Sequence, residues 1–319
     1  VCGKPSESMN YLKPILAWVL CLSLVSCSSN DNRPLKVATN LWPGYEPLYL
    51  AQYLGVFHQD IEVIQLSSAT EVMRAMAHGN LDAAALTLDE VISLRAGGLD
   101  IEPILVLDYS RGGDAIVTLQ PKRDSLVGMR VGVENTALGA IVLSEALNQA
   151  GLTFDDVVII NVSPDEHEKA LLQEKLDAVV TFEPVRTRLL RQGAKVLFDT
   201  RQAPDLVVDM LVARRSALEA RPQRFKQLVA GYLKARHYMQ TNQSEAEVFF
   251  SKRLSLDRDQ LQQAFEGLYL PTLQDNREWF SGQPSTYHQV FERILGIMQA
   301  RGLVAVSYTH LRAHETSRY

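Results

Sequence analysis

Short apolar runs alternate with helical stretches over the first two thirds of the chain, and the alternation restarts once. Residues 36–39, 61–66, 83–86, 101–107 and 115–119 have the length and composition of buried strands. Helical patterns at 47–57, 71–78 and 88–96 separate the first four, and Gly79 and Gly97-Gly98 stop the last two helices. Strands spaced by helices of this length predict a parallel sheet covered by helices. After Pro121 the pattern begins again. Strands at 129–133, 157–160, 177–182 and 195–198 alternate with helices at 139–150, 166–174 and 185–192. A further strand at 209–213 precedes a nearly all-helical region, with helices at 224–239, 244–253, 257–268 and 287–300.

This order predicts an α/β chain of two lobes, the second inserted into the first. Lobe 1 takes residues 35–115 and 206–305, and lobe 2 takes 116–205, with crossovers near 108–120 and 200–210. The alternative, two independent domains in series, does not explain a strand at 209 that is followed only by helices. Clefts at the carboxyl ends of strands, between lobes, are where such proteins hold small molecules.

Composition narrows the function. A net charge of −5 without a basic stripe argues against a nucleic-acid partner. Hydrophobic content of 46% and charged content of 22% are those of a soluble globular protein. The three cysteines, Cys2, Cys21 and Cys27, all precede the body, which excludes thiolate zinc sites and cysteine nucleophiles there. His58, His78, His167, His237 and His288 are scattered and read as surface or helix residues. His310 and His314 lie four apart in a tail, 306–319, that reads as foreign to the fold, so neither metal nor cofactor is expected.

The N-terminus reads as an export signal. Residues 1–8 precede Met9, the natural start. Lys13 then supplies a positive charge, and 15–24 is an apolar run of about ten residues, where a permanent membrane span needs about twenty. Leu24-Val25-Ser26-Cys27 resembles the lipobox of bacterial lipoproteins, which implies a signal peptide over 9–26, lipidation of Cys27 and a linker over 27–34. One acyl chain anchors marginally and two anchor stably. The expected location is the periplasm or the cell surface, tethered to membrane.

Several segments carry a second resemblance. They are Trp42-Pro-Gly-Tyr-Glu-Pro47, Gly55-Val-Phe57, Asp108-Tyr-Ser-Arg-Gly-Gly-Asp114, Gly128-Met-Arg-Val-Gly-Val-Glu134, Ala137-Leu-Gly139, Asp177-Ala-Val-Val-Thr-Phe-Glu-Pro-Val185 and Leu197-Phe-Asp199. In this order they are similar to the substrate-binding proteins of nitrate/sulfonate/taurine-type ABC transporters, a group that includes NMT1/THI5-like binders of the thiamine pyrimidine precursor. The resemblance covers about 36–300. It implies a type II periplasmic-binding-protein fold, a ligand clamped by hinge closure, a monomer, and an ABC permease as partner.

Candidate ligand contacts follow. Trp42 and Tyr45 lie on the loop after the first strand, suited to stacking on a flat ring or to packing on the next helix. Ser67, Ser68 and Thr70 precede a helix, where hydroxyls cap free N–H groups or meet a polar ligand. Thr87 and Asp89 end the third strand, with Asp89 read as a helix N-cap residue. Thr136, Ala137, Leu138 and Gly139 form the loop opposite, and Glu183 ends an inter-lobe strand, to face the ligand or to cap the next helix. Asp108, Asp114 and Asp209 gather at the crossovers, as hinge hydrogen bonds or ligand contacts. Glu46 and Glu134 add to the acids on these loops, and Arg111 is the only obvious cation among them. Such a cleft favours a neutral or cationic nitrogen heterocycle over nitrate, taurine or a sulfonate. A sensory receptor and an enzyme on the same scaffold are the rival functions. The second is disfavoured by export and by the cysteine-free body.

Overall fold

The computed structural model describes residues 1–3, 33–120 and 122–305; the leader, Cys27, nearly all of the linker and the 306–319 tail lie outside the described residues. From Pro34 onward the chain is one compact unit. Its first run is β1 (Leu35–Thr39), α1 (Glu46–Tyr53), β2 (Ile61–Gln65), α2 (Ala69–Ala77), β3 (Ala83–Thr87), α3 (Leu88–Ala96) and β4 (Ile101–Ser110). The second run is β5 (Asp114–Thr118), β6 (Arg130–Val133), α4 (Ala137–Gln149), β7 (Val158–Asn161), α5 (His167–Leu172), β8 (Ala178–Phe182), α6 (Val185–Arg191) and β9 (Lys195–Asp199). Then come β10 (Val208–Arg214), α7 (Arg215–Ala220), α8 (Pro222–Thr241), α9 (Gln243–Leu254), α10 (Arg258–Glu266), β11 (Leu268–Tyr269), α11 (Leu273–Phe280) and α12 (Thr286–Ala300).

The strands make two sheets, ordered β11-β4-β10-β3-β1-β2 and β7-β6-β8-β5-β9. Continuous apolar strands bury both faces of the first. Ala84 and Leu86 of β3 and Met210 and Val212 of β10 enter one core, while Ala83, Ala85, Leu211 and Ala213 enter the other. Period-two alternation therefore feeds two helical layers from one strand. Three well-set polar contacts tie helices to β4. The Tyr232 hydroxyl of α8 donates to the Leu107 carbonyl at 2.8 Å. On the other side, Asn276 of α11 accepts from the Val106 N–H at 2.7 Å and donates to its carbonyl at 3.1 Å.

Three sequence expectations need correction. The sheets are mixed rather than parallel: β10 runs antiparallel to β3 and β4, and β5 antiparallel to β8 and β9. The cause is the double passage between sheets. β4 carries the chain out and β10 brings it back, so the two lie side by side in opposite directions. The helix expected over 47–57 ends at Tyr53, and that over 257–268 ends at Glu266 and passes into β11. α7 and α11 were not anticipated, since each is short. His167, read as a surface or helix residue, is a helix residue: it opens α5 and is 1% exposed, its ring between the Thr181 hydroxyl and the Val162 carbonyl at 3.2 Å each. Burial draws its pKa down to about 4, so it stays neutral.

Candidate functional site

The crossover strands determine the floor of the site. Asp209 of β10 lies opposite Asp108 of β4 in the antiparallel ladder, and both are buried. Pro43 opens a short 3-10 turn over Pro43–Tyr45 just beyond β1. That turn lays Trp42 and Tyr45 on the two acids. The Trp42 indole N–H donates to both Asp108 oxygens, at 3.1 and 3.2 Å, and the Tyr45 hydroxyl donates to Asp209 Oδ1. Gly44 is required between them, because a Cβ there would collide with the Asp108 carboxyl. The two aromatics are thus committed at their polar ends, and both rings are nearly fully buried.

The second sheet supplies the opposite wall. Phe182, at the end of β8, meets Trp42 edge-on with ring centres 6.1 Å apart. Glu134, just after β6, accepts from the Thr70 hydroxyl of α2 at 3.2 Å, a direct link between the two sides. Asp114 opens β5, with its N–H on the Ser110 hydroxyl at 3.0 Å and its Oδ2 buried without a partner. Asn40, Thr87, Glu90 and Val207 complete the first side, and Leu138 of α4 the second. The centre of a water-sized sphere has about 20 Å³ to move in. That admits roughly one or two waters, so a larger guest requires the walls to part.

The lining is strongly acidic. Glu90, Asp114, Glu134 and Asp209 face the space, and among the described residues no lysine or arginine lines it. Asp108 and Asp89 lie buried just behind. Burial is the largest cause of every shift here, and neighbouring carboxylates add to most of them. Asp108 rises to about 8, Asp114 to about 7 and Asp89 to about 6. Asp209 and Glu90 rise well above the ordinary range, burial first and then Asp108 and Asp89 respectively, and Glu134 rises through burial. Tyr45 rises through burial and the nearby Asp209, Glu90 and Asp108, which keeps its proton for the Asp209 hydrogen bond. Without a guest, several of these acids hold protons near neutral pH. As carboxylates these groups accept hydrogen bonds or a positive charge; while protonated they also donate hydrogen bonds.

The residues singled out from sequence separate into two groups. Trp42, Tyr45, Thr87, Asp114, Glu134, Leu138 and Asp209 line the space together. The others stand behind it or hold its walls. Ser68 caps α2 by accepting from the Glu71 N–H at 3.3 Å, while Ser67 is exposed. Thr136 caps α4 through the Gly139 N–H at 3.4 Å, Ala137 starts that helix, and Gly139 packs on Val133. Asp108 anchors Trp42. Glu183 is fully buried and fully engaged, with Arg186 at 2.9 Å and the Thr187 N–H and hydroxyl at 3.0 Å each. The N-cap of α3 is Thr87, and Asp89 is one residue inside the helix, because the Thr87 N–H takes the Glu90 carboxylate at 2.9 Å in a capping box. Asn40, Ala69, Glu90 and Val207 were missed. Thr-x-x-Glu reads as a capping box and nothing more, so Glu90 gave no separate signal, and Val207 gains its role only from the second crossover.

The family profile described as NMT1-like matches residues 28–251. The chain belongs to the NMT1-like family. Among curated proteins, this NMT1-like chain is 21% identical over 263 residues to a Brucella abortus protein provisionally described as a binding protein, covering 78% of this chain and 81% of the relative. Among solved structures it is similar to the periplasmic aliphatic sulphonate binding protein SsuA of Escherichia coli, with TM-score 0.68, 17% identity, and coverage of 86% and 94% of the two chains. The alkanesulfonate-binding SsuA of Xanthomonas axonopodis pv. citri, bound to MOPS, gives TM-score 0.71 at 13% identity, covering 85% and 94%. The nitrate-binding NrtA of Synechocystis PCC 6803 gives 0.68 at 15%, covering 87% and 83%. These likenesses establish the periplasmic-binding-protein fold.

Proposed function

We propose that this chain is an exported solute receptor, tethered through lipidated Cys27, that delivers a small molecule unchanged to an ABC permease. In this reading it works as a monomer. Residues 35–115 with 206–305 form one jaw and 116–205 the other, and they close around the guest by hinge motion about the two crossovers. Membership of the NMT1-like family and a fold shared with periplasmic binding proteins support the receptor role.

For the guest we propose a neutral or cationic nitrogen heterocycle bearing N–H donors, such as the pyrimidine precursor of thiamine. The observation that carries this reading is the wall of Glu90, Asp114, Glu134 and Asp209, with no lining cation among the described residues. Trp42, Tyr45 and Phe182 offer rings for a flat guest, and base-on-aromatic stacking contributes about 1–3 kcal/mol. The relatives whose names specify sulfonate or nitrate carry guests of the opposite charge, which this lining disfavours.

Calorimetric titration with an aminopyrimidine, an alkanesulfonate and nitrate tests the proposal. The aminopyrimidine is expected to bind, and more tightly as pH rises from about 6 to about 8, as the raised carboxyls ionise. Tight sulfonate binding with no response to the aminopyrimidine would refute the choice of guest.

A further inference from the structure

A second recess lies away from the acidic cleft, with a volume of about 310 Å³. Its walls carry Arg111, Arg186, Arg191 and Arg201, together with Gln263 and one acid, Glu266. The four guanidiniums come from three separate segments. Arg111 is in the turn between β4 and β5, Arg201 follows β9 in the second crossover, and Arg186 and Arg191 are on α6. Gly112 lets Arg201 lie across the turn: its φ is +111°, and a Cβ would meet Arg201 Nε at 3.2 Å. The turn itself is fixed, since the Arg111 and Gly113 N–H groups both donate to the Gly267 carbonyl, at 2.8 and 3.0 Å.

Three of the arginines have carboxylate partners on the protein side. Arg186 pairs with Glu183 at 2.9 Å, Arg201 with Asp199 at 2.5 Å and Arg191 with Asp257 at 3.3 Å. Those pairs hold the side chains without using all their donors. The Arg186 Nε–H is buried and has no partner, although its side chain is only 11% exposed. Arg111 is stacked on the Tyr269 ring at 4.7 Å, and among the described residues no carboxylate pairs with it. The buried Arg186 donor calls for an acceptor, and the exposed Arg111 guanidinium adds positive charge to the same recess. Guanidinium forks match tetrahedral oxyanions better than point cations do.

We infer that this recess is a second ligand site, for a phosphate-type oxyanion, either free or as the head of a small monoester. It is distinct from the acidic cleft in position and in charge. The occupant would touch both crossovers at once, together with α6 from one sheet's cover and the α10 end from the other's.

The test is a titration of the full chain with inorganic phosphate and, separately, glycerol 3-phosphate, read by calorimetry at ionic strength held constant with chloride. Saturable binding of either is expected, and Arg111→Gln and Arg191→Gln should each weaken it about tenfold. Arg191→Gln serves as the second variant because that side chain is 51% exposed and its loss is tolerable to the fold. Tighter binding of the ester would identify a monoester head as the occupant, and equal binding the free anion; both support the site. Non-saturable heats with wild type, or affinity unchanged in both variants, would overturn it. The outcome is independent of the heterocycle titration, which reads different walls.

Discussion

Asp114 shows how one buried side chain does opposite things to binding and to stability. Its Oδ2 has no partner, and burial with nearby Asp89 and Glu183 raises its pKa to about 7. Removing the charge relieves the fold and deprives a cationic guest of an acceptor. Asp114→Asn is therefore expected to weaken aminopyrimidine binding about tenfold or more, the value of a charge-assisted hydrogen bond. It should also raise the melting temperature of the guest-free protein at pH values above about 7. Calorimetry and a thermal melt on the same preparation read both effects. An unchanged affinity would remove Asp114 from the guest's surroundings.

Between elements, the Glu46–Arg253 pair joins α1 to α9. Glu46 is 1% exposed and meets Arg253 at 2.5 Å, while Arg253 also covers the Tyr49 ring at 3.6 Å and reaches Gln65 at 2.9 Å. Burial raises the Glu46 pKa and Arg253 pulls it back. Arg253→Met leaves a buried carboxyl alone and is expected to cost about 3 kcal/mol. Adding Glu46→Gln should recover much of that loss, measured by urea denaturation of the two variants. Additive losses would mean that the pair is not coupled.

The same scale shows what the sequence could and could not convey. Period-two strands such as 83–87 and the helices after Pro222 were legible because each is a local pattern. Trp42 and Tyr45 were legible because a Pro-Gly turn after a strand leaves few places for them. Asn40 and Val207 were not, since they meet the cleft only through non-local strand order. From its position at a strand end Glu183 could face a ligand or cap the next helix; the structure gives the second, since Arg186 and Thr187, three and four residues later, claim both its oxygens. Likewise Arg111, the lone cation noticed among the candidate loops, faces the second recess rather than the acidic cleft. Sequence spacing placed these residues near the crossovers; only the packing decided which side each one serves.

For the whole molecule, the buried acids determine the response to pH. A carboxyl whose pKa is raised on folding holds a proton in the native state that the unfolded chain has already lost. Stability from Asp89, Asp108 and Asp114 is thus complete below about pH 4 and declines as pH rises through about 6, 8 and 7 respectively. Asp177, held at about 2 by Arg130, acts in the other sense, and its contribution is lost only in strong acid. The guest-free protein is expected to lose stability steadily between about pH 5 and pH 8. Saturating aminopyrimidine should flatten that decline. Chemical denaturation across the range, with and without the compound, measures it, and a guest-free stability that climbs with pH would contradict the protonated cluster.

The edge-on contact of Trp42 with Phe182 has an optical consequence. One ring belongs to the loop after β1 and the other to the end of β8, and the indole N–H rests on a titrating carboxyl. The body contains only one other tryptophan, Trp279, packed within an aromatic group on α11 and α12. The wavelength and yield of Trp42 emission therefore depend on the spacing of the two sheets and on the ionisation of Asp108. The molecule carries a built-in fluorophore at the seam between its two sheets.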